Sequence, residues 1–293
     1  PWHQSGIASS SRADLNRIRP KALAIYLCSL ADDQTEESEL ATTIKRLSRP
    51  GDEVGKRVAE QYEASPYPRW TSLQRSKPGS LRPALEEILS TPELAFMDQP
   101  FDVLVAGCGT GKHACQAALG YGTNARLLGI DISIASLAYA QRMCNANGLS
   151  NVEFAQADIL NLAECDREFD IIESVGVLHH MDDPFAGWRS LIEKLKPNGL
   201  MYLGFYSQTS RQNIAALRKE DAYPGAGCSD DEARIYRQSL ISRKPGELGS
   251  ELIQSQDFYC LSEFRDLVLH VNEHRLSLAD IAQFLEETSL VSK

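Results

Sequence analysis

Between Phe101 and Tyr206 the chain alternates short, continuously apolar runs with stretches whose apolar residues recur every three to four positions. FDVLVA, ARLLGID, NVEFAQAD, FDIIESVG and GLMYLGFY are of the first kind, rich in branched and aromatic residues, and predict buried strands. Between them KHACQAALGYG, ASLAYAQRMCNANG, the short LNLAEC and PFAGWRSLIEKLK predict helices or helical turns. Five strands joined by four crossovers imply an α/β fold with an open, doubly wound, mostly parallel sheet and helices on both faces. Such sheets bind ligands beyond the carboxyl ends of their strands.

On either side the pattern changes. KALAIYLCSL, ESELATTIKRLSR and DEVGKRVAEQYE predict two or three short N-terminal helices, and the acidic run DDQTEESE reads as a solvated helix start capped by Asp33 or Thr35. SPYPRWTSLQRSKPGSLRP then breaks any helix with prolines and a glycine. A new domain is expected near Leu81. The division is residues 1–80 as a helical region and linker or lid, and 81–293 as the α/β domain. Within the latter we expect a core at 101–207, a substrate-facing insertion at about 208–276 and a final helix at about 277–290.

Composition narrows the function classes. Of 293 residues 43% are hydrophobic, which excludes global disorder and fibrous repeats. Thirty Lys and Arg against 40 Asp and Glu give a net charge of −10, so bulk charge does not hold the protein on nucleic acid or an anionic membrane. No apolar stretch approaches the roughly 18 residues that cross a bilayer, and the leading PWHQSGIASSSRADLNRIRP lacks a secretory core, so a cytoplasmic protein is expected. Seven widely spaced cysteines contain no CxxC pair; neither a disulfide framework nor a metal site is predicted.

The strongest chemical signal is FDVLVAGCGTG, a strand running straight into Gly107, Gly109 and Gly111. Glycines there let backbone approach a ligand, and the start of the following helix favours a negative group. Cys108, inside the loop, reads as a small buried residue rather than a nucleophile. A phosphate-cradling P-loop fails, because His113 follows Gly111-Lys112 and Ala106 holds the first glycine position. A dinucleotide fingerprint fits Gly109, Gly111 and Ala114 only with its first glycine two residues late. Asp131 closes the second strand, where a carboxylate accepts both ribose hydroxyls, and Asp158 ends the third, where it can accept from an adenine amino group. The set asks for a nucleoside.

Through AGCGTG, GIDIS, QADIL, FDIIESVGVLHHMDD and LKPNGLMYLGFY the chain resembles the class I S-adenosylmethionine-dependent methyltransferases over roughly Asp102 to Ser207. The resemblance implies a Rossmann-like sheet, S-adenosylmethionine as methyl donor with S-adenosylhomocysteine as product, and transfer to an oxygen, nitrogen or sulfur acceptor on a small molecule or protein. It implies that Gly107, Cys108, Gly109 and Gly111 approach the amino-acid moiety, that Asp131 beside Ile132 holds the ribose, that Asp158 and Ile159 flank the adenine, and that Ser174 and Val175 line the methionine side. Val105 stands where the family often has an acid. QYEASPYPRW with DFYCLSEFRDLVLHVNEHRLSLADIAQFL resembles a bacterial subgroup whose catalytic domain follows tetratricopeptide-type helices, which implies protein docking through the N-terminal helices. The family's last pair of strands has no counterpart before Lys293, so an incomplete sheet is expected. A catalytically silent binding protein and, on the glycine loop and ribose acid alone, a nicotinamide oxidoreductase are the alternatives.

Candidates for the acceptor side are fewer. His179 and His180 follow the fourth strand and could remove a proton, or pack within their loop. His270 and His274 suit substrate contact, metal or plain surface. Tyr62, Tyr67, Arg69 and Trp70 would either close over the sulfonium or anchor the linker, and Tyr206 ends the last strand at the crevice. The Asn-Pro-Pro-Tyr signature of adenine or glutamine methylation is absent, GVLH standing in its place.

Overall fold

A computed structural model describes residues 12–74 and 76–292; the leader expectation for residues 1–11 lies outside them. The core strands form where the apolar runs place them: β2 (Phe101–Ala106), β3 (Ala125–Asp131), β4 (Val152–Gln156), β5 (Phe169–Val175) and β6 (Leu195–Gly204). They pair in parallel, and a sixth strand, β1 (Lys45–Arg46), joins the edge, giving the order β1-β4-β3-β2-β5-β6. All six residues of β2 are buried because both faces of the sheet are covered. Val103, Val105 and Leu127 pack against α5 (Lys112–Tyr121) and α6 (Ile134–Ala146). Leu104, Ala106, Leu128 and Ile130 face the other way, toward α7 (Pro184–Ile192) and Phe284 of α11 (Leu278–Thr288). LNLAEC forms the 3-10 turn Ile159–Glu164.

The N-terminal region departs from expectation. After a short α1 (Arg12–Asn16), a single helix α2 runs from Lys21 to Thr43, absorbing two predicted short ones. Nothing between Ala31 and Glu39 breaks it, and the acidic run is mid-helix rather than a cap. Asp33 and Glu37, one turn apart, meet Arg142 of α6 at 3.3 and 2.9 Å, and that arginine is only 13% exposed. The helix stops before IKRL: Lys45 and Arg46 pair with β4, while Ile44 and Leu47 bury on opposite faces of the sheet. Helix α3 (Glu53–Ala64) follows, its start capped by Asp52, which accepts from the Gly55 amide at 2.7 Å.

After the short α4 (Leu81–Leu85) and the sheet come α8 (Gln212–Leu217), α9 (Asp230–Ile241) and α10 (Leu261–Val268). They form a separate core around Leu217, Tyr236, Leu240, Phe258 and Phe264. The chain leaves and re-enters at one place, since Ser207 bridges Leu276. Among the described residues no strand follows β6 beyond that bridge. No helix among them is long and apolar enough to cross a membrane.

Candidate active site

A cavity of about 570 Å³ opens at the carboxyl ends of β2, β3, β4 and β5, within the ~300–1,000 Å³ range of small-molecule sites. The loop after β2 forms its floor. Gly107, Gly109 and Gly111 have φ of +71°, +52° and +78°, the left-handed region that side chains disfavour. A Cβ on Gly109 would stand 2.5 Å from the Tyr67 carbonyl oxygen, so the loop is packed against the protein's own N-terminal segment. That segment is clamped: the Thr110 amide donates to the Tyr67 carbonyl at 3.2 Å, the Thr110 hydroxyl donates to the Pro68 carbonyl, and Trp70 Nε1 donates to the Thr110 carbonyl at 2.9 Å.

Asp131 sits in the wall, accepting from the Gly109 amide at 2.8 Å and the Ser133 amide at 2.9 Å. Burial outweighs those two bonds and pushes its carboxyl up to about 6. Asp158 caps its 3-10 turn through the Leu160 amide at 3.0 Å and also accepts from the Gly51 amide at 3.1 Å. Ile132, Ala157 and Ile159 supply apolar wall between the two acids, and Val175 and Gly176 close the β5 side. At Gly176, φ is +80° and no atom lies within 4 Å of where a Cβ would point. Gly176 is thus an open stretch of the cavity rim.

Of the residues expected in the site, Gly107, Cys108, Gly109, Asp131, Ile132, Asp158, Ile159, Val175, Tyr62, Tyr67, His180 and Tyr206 line this one cavity. Others lie behind it. Gly111 packs on Ala140, and buried Ser174 donates to the Ala106 carbonyl at 3.1 Å. Trp70 is buried against Tyr139 with ring centroids 6.4 Å apart, and the Arg69 guanidinium lies 5.5 Å from the same ring. His179 stacks on Tyr206 at 3.8 Å and its Nδ1 accepts the Tyr206 amide at 3.2 Å. His270 and His274 lie beyond the end of α10 and share no helix face; the His274 amide donates to the His179 carbonyl at 2.7 Å. Cys108 is buried, which pushes its thiol well up and makes it a poor nucleophile.

Burial also keeps the histidines neutral, His179 held down to about 2 and His180 to about 4. His180 Nδ1 lies 2.8 Å from the Asn272 carbonyl, which can only accept, so the proton is on Nδ1 and Nε2 carries a lone pair. His270 Nδ1 reaches the same carbonyl at 2.6 Å, and its Nε2 lies 3.2 Å from the Tyr62 hydroxyl. That hydroxyl donates to Asp266 at 2.6 Å; burial raises Asp266 to about 6.

Several wall residues carried no signal in the sequence. Lys112, His113 and Gln116 enter from the first turns of α5, Asp52, Gly55 and Val58 from α3, and Asp257 and Asp266 from the insertion. His113 is held from below, its Nε2 2.6 Å from Glu173 of β5, a buried carboxylate that also accepts from the Tyr121 hydroxyl at 2.5 Å.

A family model described as methyltransferase domain matches residues 98–259, more than half of the chain. An uncharacterized protein of Synechococcus sp. is 36% identical over 40% of this chain and 28% of its own length. The O-methyltransferase resE of Aspergillus sclerotiorum is 29% identical over 64% of this chain and 63% of its own, and phosphoethanolamine N-methyltransferase 1 of Triticum aestivum is 32% identical over 41% and 24%. The chain therefore spans less than two thirds of the length of each of these curated relatives. Among solved structures, PKMT2 from Rickettsia typhi in complex with AdoHcy aligns with a TM-score of 0.53 at 21% identity, covering 76% of this chain and 44% of that one, a likeness of fold.

Proposed function

The chain belongs to the methyltransferase-domain family, and from that premise we propose that it transfers a methyl group from S-adenosylmethionine to an acceptor on a small molecule or a protein. One observation carries the reading: Gly107 to Gly109, Asp131, Asp158 and the open face of Gly176 line a single cavity at the strand ends. The fit to the donor is chemical. Asp131 and Asp158 are acceptors for ribose hydroxyls and an adenine amine, Ile132 and Ile159 offer apolar surface to the base, and Lys112 at the start of a ten-residue helix offers charge to a carboxylate. When bound, S-adenosylmethionine supplies a methyl group activated by a sulfonium. The protein's part is alignment and the exclusion of water, done by the Tyr67–Trp70 clamp and the insertion.

We also propose that residues 81–293 form the catalytic domain, and that 208–276 is the segment that meets the acceptor. The N-terminal helices are read as the end of a helical region of the tetratricopeptide-type subgroup. Supporting that, α2 packs on α6 with one face and leaves Ile25 and Tyr26 61% and 60% exposed on another, a surface suited to protein docking.

Calorimetry with S-adenosylmethionine and S-adenosylhomocysteine tests the reading. Binding in the micromolar range is expected, abolished by Gly109→Arg and weakened at least tenfold by Asp131→Ala, about 1.4 kcal/mol. Binding of neither compound overturns it.

A further inference from the structure

One stretch of the cavity wall differs in character from the rest. Tyr62, Tyr67 and Tyr206 line it there, with Asp257, Asp266 and His180 among them. Its carboxylate and imidazole acceptors are sparsely satisfied. Asp266, 5% exposed, receives one hydrogen bond, from Tyr62. His180 Nε2 is buried without a partner and holds a lone pair. Asp257 adds a second carboxylate, near enough to Asp266 to raise its proton affinity. The nearby arginine is already committed: Arg211, over the Tyr206 ring at 3.9 Å, pairs with Glu273 through both of that carboxylate's oxygens.

Two carboxylates, an imidazole lone pair and three aromatic rings around one space suit a cation rich in N–H donors. Resting on the methyltransferase reading of the cavity, we propose that this subsite takes the ammonium group of an amine acceptor, so that nitrogen is the atom methylated. Alcohol or thiol acceptors bring a single donor and no charge to a wall that asks for several donors. Asp266, its proton affinity raised by burial, can then take one N–H proton and leave the nitrogen lone pair free.

A metal ion is the other cation to weigh, since one ligand atom each from His180, Asp266 and His270 lie within 4.8 Å of one another. Two features favour the ammonium. The Nδ1 atoms of His180 and His270 are both taken up by the Asn272 carbonyl oxygen, at 2.8 and 2.6 Å, which leaves only their Nε2 atoms for an ion. The Tyr62 hydroxyl, 2.6 Å from Asp266 and 3.2 Å from His270, already stands between them.

The test is calorimetric. S-adenosylhomocysteine binding is measured first; n-butylammonium, n-butanol and Zn²⁺ are then titrated separately into the saturated protein. The expected result is n-butylammonium binding about tenfold or more tighter than n-butanol, with Asp257→Asn and Asp266→Asn each removing most of that preference while S-adenosylhomocysteine still binds. Equal binding of the two probes, or a preference that survives both substitutions, overturns the inference and leaves the methyltransferase reading standing. Tight Zn²⁺ binding that His270→Ala abolishes reassigns the subsite to a metal and overturns it too. Failure to bind S-adenosylhomocysteine overturns both. Asp257 is only half-buried, so its variant keeps the test readable should Asp266→Asn fail to fold.

Discussion

Two glycines in the same wall should respond to one added methyl group in opposite ways. At Gly109 (φ +52°) an alanine Cβ would meet the Tyr67 carbonyl oxygen at 2.5 Å, a backbone atom that cannot swing aside. The left-handed conformation costs a side chain about 1–2 kcal/mol. Parting the loop from Tyr67 forfeits the 3.2 Å bond from Thr110, worth about 0.5–1.5 kcal/mol net. With some residual crowding, Gly109→Ala should lose about 2–4 kcal/mol, and at roughly 2–4 °C per kcal/mol for a domain of this size its melting temperature should fall by about 4–16 °C. Gly176→Ala carries only the conformational cost of about 1–2 kcal/mol, because nothing lies within 4 Å of its new atom. Gly176 lines the cavity, so this variant should be the milder in thermal unfolding and the one that weakens S-adenosylhomocysteine about tenfold or more among folded molecules. Urea unfolding and calorimetry on both proteins give the comparison. If Gly109→Ala is no less stable than Gly176→Ala, the clamp of Tyr67 on the loop is not as described; if Gly176→Ala binds normally, the donor does not lie along β5.

Other perturbations follow from the same geometry. Trp70→Ala removes a buried ring and its bond to the Thr110 carbonyl and should cost about 3–5 kcal/mol by chemical denaturation; a loss under 1 kcal/mol would show that the linker is not anchored there. Arg142→Ala unties α2 from α6 and should cost about 1–2 kcal/mol, with earlier proteolytic cutting between residues 30 and 45; an unchanged digestion pattern counts against the tie. Asp131 titrates near 6 when folded against 3.8 unfolded, so its charge opposes folding: the proton bound more tightly by the native state makes stability fall as pH rises from about 4 to 6. Asp131→Asn should remove up to about 3 kcal/mol of that decline in urea titrations across this range, and an unaltered slope would refute it. His113 lines the cavity beside Lys112, the residue we propose for the donor's carboxylate, and Glu173→Gln leaves it without its 2.6 Å anionic partner; binding of S-adenosylhomocysteine should weaken while that of methylthioadenosine, which lacks the amino-acid moiety, stays the same.

What the sequence revealed follows from what kind of contact built each part. β2 to β5 were legible because they are largely buried on both faces, so apolarity alone marks them; β6, half-buried at the sheet edge, showed itself through the apolar run GLMYLGFY. β1 was not: Lys45 and Arg46 join by backbone bonds that any side chain permits, and the flanking Ile44 and Leu47 imitate a helical spacing. Asp33 and Glu37 read as solvated because their partner Arg142 lies on another element about a hundred residues away. Gly107, Gly109, Asp131 and Asp158 announced themselves by position after strands, whereas Glu173 hides in an apolar run and Asp257 and Asp266 in a polar insertion. A lone acid looks the same facing water or a cavity. Tyr62 and Tyr67 were expected beside Trp70 and Arg69, yet the chain turns at Pro68, so the first two face the cavity and the others the α6 side.

Ser207 and Leu276 are neighbours, the Leu276 amide donating to the Tyr206 carbonyl at 2.9 Å. The roughly seventy residues between them therefore leave and rejoin the sheet at one place, with a core of their own. Exchanging that stretch leaves every strand pairing untouched. Its polar contacts with the rest of the molecule gather at one end: Asn272 meets His180 and Met181, His274 meets His179, Val271 meets Gln61 and Asp266 meets Tyr62. The wall we propose for the donor and the wall we propose for the acceptor thus lie on separable stretches of chain, and a chimera joined at those two residues can exchange the second while keeping the first.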